Sequence, residues 1–188
     1  HGLGMNLELG ADALIVAGQD VYAFAGIKGP YRTDTNEDGK VDESDPINED
    51  AIGFALSDLD FALALVAPSL GGGAKLPINF FGLRASAGYA GLVGTDPYLT
   101  LNAQDLIFEF NGAIAQANGK FIPLPSVYAD FSVIDNGVDE DGNALPTGLN
   151  IPIGSDATAI NMNYSSNFLR VGLTGELGIF DLFTIKPP

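Results

Sequence analysis

The sequence predicts an all-β fold, elongated and mainly antiparallel, as one sheet or a sandwich with an acidic loop inserted between strands; a β-solenoid is the alternative architecture. Three observations predict it. Short apolar runs alternate with polar residues at a period of two, as half-buried strands do. No segment sustains apolar spacing of three and four over the ten or so residues of a globular helix. Three successive segments share one irregularity, a single change of parity in mid-strand, which marks a bulge, a corner or a tight turn.

The elements follow in order. Met5–Leu9 alternates as a strand, and Ala13–Ala17 and Val21–Ala25 are apolar runs of strand length, with Gly18, Gln19 and Asp20 as the turn between them. Gly26 to Thr33 leads into the acidic loop. In Gly53–Leu65, Phe54 and Leu56 share one parity and Leu59, Phe61, Leu63 and Leu65 the other, placing the shift near Ser57 and Asp58. Phe81–Leu92 shifts after Tyr89, and Leu99–Phe110 shifts between Ala103 and Leu106. Such equivalence suggests stacked, similar strands. Gly71–Gly73 and Thr95–Pro97 punctuate them. Gly112 to Asp156 is looser and proline-bearing, with one strand-like run at Val127–Ile134. Ala159–Tyr164, Phe168–Leu173 and Leu177–Ile185 are closing strands.

A chain of 188 residues with 46% hydrophobic residues holds a sizeable core, and it reads as a single module over residues 1–188. Eight Lys and Arg against 24 Asp and Glu give a formal charge of −16, which opposes binding to nucleic acid or an anionic membrane and favours divalent cations. Cysteine is absent, so thiolate metal sites, disulfides and cysteine nucleophiles are excluded. The apolar runs are far shorter than a membrane-spanning helix. The opening on His1 and Gly2 suggests a piece of something longer.

Eight of the 24 acids lie between Asp34 and Asp50. Within them, Asp34–Asp45 has the layout of a twelve-residue calcium loop: Asp34, Asn36, Asp38, Asp42 and Asp45 at positions 1, 3, 5, 9 and 12, with Gly39 at position 6. Lys40, at position 7, offers its backbone carbonyl. Ca²⁺ takes six to eight oxygens from a flexible loop and needs glycine at the sharp turn. Pro30 and Pro46 flank the loop and leave no room for the long helices of an EF-hand. A second acidic stretch offers Asp135, Asp139, Asp141 and Asn143, but Gly137 would stand where the first ligand belongs; a polar Asp- and Gly-rich turn is the simpler reading.

Catalysis finds little support. The one histidine is His1, and no catalytic residue is assigned. Asp58 and Asp60 share a strand face and suit solvated acids better than a glycosidase pair. No phosphate loop follows Gly71–Gly73. Tyr31, Tyr89, Tyr98, Tyr128 and Tyr164 suit a carbohydrate-binding platform or, more simply, amphipathic core edges.

The loop, ending in Asp, resembles a dockerin-type loop, although dockerins carry two such loops with tandem helices. Gly29–Gly39 is followed by Asp50–Leu56, Asp60–Leu65, Leu83–Gly88, Ala90–Gly94 and a late Phe168–Gly172. That succession resembles a repeat module of giant bacterial surface or secreted proteins, adhesin-like and rich in calcium loops. The resemblance implies a structural, extracellular, Ca²⁺-stiffened module, not an enzyme, with neighbouring copies of the module as partners; it identifies no ligand, and surface glycans are a separate candidate partner. A carbohydrate-binding β-domain with structural Ca²⁺ is the alternative function.

Overall fold

A computed structural model describes residues 9–42, 44–70, 73–96, 99–155 and 158–179. The fold is all-β: about 61% of the described residues are strand, and no α-helix occurs among them. The strands are β1 (Leu9–Ile27), β2 (Ile52–Leu70), β3 (Ile78–Val93), β4 (Leu99–Ala117), β5 (Lys120–Leu124), β6 (Leu149–Pro152), β7 (Ala159–Met162) and β8 (Phe168–Ile179). β1 to β5 lie side by side in chain order, β8 joins β4, and this six-stranded antiparallel sheet does not close on itself. β6 and β7 form a separate antiparallel pair, with Ile151 opposite Ile160. Strands neighbouring in sequence and running in opposite directions make a meander, not a solenoid of parallel coils.

The mid-strand irregularities have a backbone cause. Asp58 in β2 and Asp105 in β4 both adopt left-handed backbone, with φ of 51°. That conformation is unfavourable for an L-residue, and Asp tolerates it better than most. One such residue set into a strand makes a bulge and moves the side chains beyond it to the opposite parity. In β2 the buried positions change accordingly, from Ala55 and Ser57 to Ala62 and Ala64. Asp20 has the same conformation, φ 53°, inside β1. Gly18–Asp20 is therefore no turn: β1 is one strand of 19 residues with a bulge where two strands were expected. β3 carries no left-handed residue; instead Gly88 lies so close to the Asp58 bulge that an added Cβ would stand 2.9 Å from its carboxylate oxygen.

The chain forms two compact units, each from discontinuous stretches: residues 1–17, 62–84 and 109–170 in the first, 18–61, 85–108 and 171–188 in the second. In the first, Ala62 and Ala64 of β2 are buried against Phe131, Ile151, Ile153, Met162 and Tyr164. The small alanines let large side chains of the 117–170 region approach the sheet closely, and Met162 is wholly buried. Tyr164 stands edge-on to both Phe131 and Phe168. Val127–Ile134 is not a strand. Its backbone makes a single 3-10 turn, Phe131–Val133, capped by Asp130, whose carboxylate accepts from Ser132 N–H at 3.1 Å. Local bonds of this kind compete with strand pairing. The second unit buries Ala51, Ala55, Ala87, Ala90 and Ala103, again small residues. Residues 5–8 and 180–185, parts of the expected first and last strands, lie outside the described residues.

Candidate metal loop and polar clefts

The Asp34–Asp45 segment is the connection between β1 and β2, as expected from its flanking prolines, and its described residues contain no helix. Its ends are drawn together by Asp45, which is 3% exposed. One Asp45 oxygen accepts from Thr35 N–H and the other from Asp42 N–H, both at 3.1 Å. A buried carboxylate must be compensated, and two backbone donors do that here. Arg32 Nη1 reaches the Asp45 carbonyl at 2.5 Å, and Arg32 N–H donates to the Tyr22 hydroxyl at 3.1 Å, so the loop base is tied to β1.

Within the loop each expected ligand makes a local turn. Asp34 accepts from Glu37 N–H at 2.7 Å with one oxygen and from Gly39 N–H at 3.0 Å with the other. Asn36 accepts from Asp38 N–H at 3.0 Å, Asp38 from Lys40 N–H at 2.9 Å, and Asp42 from Ser44 N–H at 2.7 Å. The Ser44 bonds hold the Asp42 carboxyl below its ordinary range. Gly39 makes the sharp turn at φ +82°, with open space where a Cβ would stand. Lys40 turns its side chain out of the loop to Asp20, 3.0 Å away, which raises the Lys40 pKa.

The donors suit a hard cation in type and order: all oxygens, one glycine turn, and a second lone pair left on each carboxylate oxygen that accepts an N–H. Their side chains are nevertheless aimed at backbone donors. Among the described residues no three Asp, Glu or His side chains come together as a group that could hold a metal ion.

The second acidic stretch is a closed turn. Asp139 accepts from the backbone N–H groups of Asp141 and Asn143, at 3.0 and 2.8 Å, and both its oxygens face the Asn143 amide. The Asn143 bonds lower the Asp139 pKa. Asp135 accepts from Gly137 N–H at 2.9 Å, and Val138 bridges Ala144. Its acids stabilise the turn they occupy.

The tyrosines divide. Tyr31 and Tyr89, with Tyr22, Arg32, Ala55 and Ser57, line a cleft of about 120 Å³ beside the loop base, where the Arg32 guanidinium lies 5.6 Å from the Tyr31 ring centre. Burial raises the Tyr89 pKa. Tyr164 is a core residue, Tyr128 is exposed elsewhere, and Tyr98 lies outside the described residues. Asp58 is exposed at the β2 bulge, and Asp60 accepts from Asp20 N–H at 2.9 Å.

One polar cluster went unnoticed in the sequence. Glu109 of β4 is 1% exposed. Its Oε1 lies 3.6 Å from Arg84 Nε and 3.3 Å from the Tyr164 hydroxyl, and its Oε2 is ion-paired to Arg170. Oε2 makes no well-formed hydrogen bond, so the charge of Arg170 is its compensation. Asn111, two residues on and wholly buried, donates to the carbonyls of Ala129 and Ser166 at 3.0 and 2.8 Å. The available signal was an acid and an amide, Glu109 and Asn111, on the odd parity between Phe108, Phe110 and Gly112.

No family model, characterised protein or solved structure matches the chain.

Proposed function

We propose that this chain is a structural, adhesin-like module of a bacterial extracellular or cell-surface protein, in which the Asp34–Asp45 loop binds Ca²⁺ and holds the β1–β2 connection in one shape. The observation that carries this reading is the loop itself. Its oxygen donors sit at calcium-loop spacing, and Asp34 already bridges the N–H groups of Glu37 and Gly39 across the glycine turn. Asp34, Asn36, Asp38, Asp42 and Asp45, with the Lys40 carbonyl, are the ligands. An ion that binds only the folded chain stabilises it by linkage, about 2.7 kcal/mol at one hundred times its dissociation constant. In its absence the carboxylates repel one another. The partners in this reading are neighbouring copies of the module and surface glycans.

Scanning calorimetry with Ca²⁺ and with chelator tests it. Ca²⁺ raises the melting temperature by about 5–10 °C, at roughly 2–4 °C per kcal/mol for a domain of this size, and Asp34→Ala removes most of the rise. Equal melting temperatures with and without chelator refute the reading.

A carbohydrate-binding domain is the second reading, favoured by the cleft that joins Tyr22, Tyr31, Tyr89 and Arg32, since rings and a guanidinium suit sugar faces and hydroxyls. Tyr31→Ala lowers retention on a polysaccharide column if that cleft is the contact.

A further inference from the structure

Two of the chain's three arginines meet at one buried carboxylate. Arg84 and Arg170 remain about half exposed, at 45% and 66%, while Glu109 between them is at 1%. One guanidinium is enough to compensate one carboxylate. Two leave a local charge of +1, and among the described residues no other acid lines the open groove above them, whose volume is about 710 Å³. The rest of the wall mixes amide and hydroxyl groups with apolar surface: Asn161, Asn163, Ser165, Ser166, Phe168 and Leu169. The guanidiniums are held in place. Arg84 Nη1 donates to the Asn161 carbonyl at 3.4 Å, and the Arg170 guanidinium lies 6.0 Å from the Phe168 ring centre.

We infer that this groove binds an acidic saccharide, with the sugar carboxylate on Arg84 and Arg170 and the ring hydroxyls on Asn161 and Asn163. Planar guanidiniums match a carboxylate in a forked arrangement that a lysine cannot offer. Amides and hydroxyls beside apolar ring surface fit a polyhydroxylated ligand, whose ring faces are apolar and whose edges carry hydroxyls. The net charge of −16 does not forbid it. At physiological salt exposed charges are screened over roughly 8 Å, so the sign close to the groove decides. Neither the calcium loop nor the tyrosine cleft enters into the site.

Isothermal titration of the intact chain with tri-galacturonate, maltotriose and sodium sulfate tests this, in Ca²⁺ and again in chelator. The expected result is saturable, salt-sensitive binding of tri-galacturonate in both conditions, at least about tenfold tighter than maltotriose, the worth of one charge-assisted hydrogen bond. Arg84→Gln weakens it by at least about tenfold, and Asn163→Ala, on the exposed rim, weakens tri-galacturonate but not sulfate. Melting curves establish that both variants are folded. Equal binding of the neutral trimer, binding of sulfate only, or affinity unmoved in both folded variants each overturn the proposal. Failure of the calcium test leaves it standing.

Discussion

Lys40 Nζ lies 3.0 Å from the carboxylate of Asp20, so the middle of the acidic loop is tethered to the bulge of β1. Both side chains are well exposed, and such pairs add little to stability in water. Lys40→Ala therefore leaves the melting temperature unchanged in chelator. In the proposed calcium site only the Lys40 carbonyl would be a ligand, and loss of the side chain would remove a cation beside the loop, so Ca²⁺ affinity in calorimetric titration is expected to stay the same or rise at low salt. A marked loss of affinity would place the Lys40 side chain in the site.

The left-handed aspartates set a second test. Asp58→Gly relieves an L-residue strain at φ 51° and keeps or raises stability. Asp58→Val meets that strain with a stiff, branched side chain and costs about 1–2 kcal/mol in urea denaturation. The same ordering holds at Asp105.

Met162 is wholly buried against the alanine row of β2. Met162→Ala leaves a cavity that the sheet cannot collapse to fill, and it costs about 2–5 kcal/mol by chemical denaturation.

Tyr164 carries a pH signature. Burial pushes its phenol up to about 12, Arg84 opposing the rise. The fold thus favours the protonated ring. That stabilisation is whole below the unfolded value of about 10 and is lost as pH climbs through about 12. Melting curves taken across this window fall more steeply for the parent than for Tyr164→Phe.

The Glu109 cluster predicts non-additivity. Arg84→Ala or Arg170→Ala alone leaves one guanidinium on the buried carboxylate and costs little. The double variant strands the charge and costs about 3–5 kcal/mol, far more than the sum of the singles. Denaturant titrations of the four species measure it.

Much of the fold was legible because strand alternation is local. The parity changes in Gly53–Leu65 and Leu99–Phe110 left a bulge, a corner or a tight turn open, and the left-handed Asp58 and Asp105 make them bulges. Gly18–Asp20 misled for a related reason: a Gly and an Asp mark turns and bulges alike, and only pairing with the neighbouring strand separates them. Val127–Ile134 misled because its apolar alternation is overridden by the Asp130 cap.

By itself the sequence determined the all-β class, the place of the acidic loop between strands and the order of its oxygen donors, since period-two alternation and ligand spacing are properties of neighbouring residues. Only the tertiary structure decided which side chains are buried and which charges meet. Ala62 and Ala64, not the larger residues beside them, lie in the core because a second layer presses close to the sheet. Arg84, Glu109 and Arg170 come from three strands, and no spacing along a chain announces a cluster that backbone pairing alone brings together.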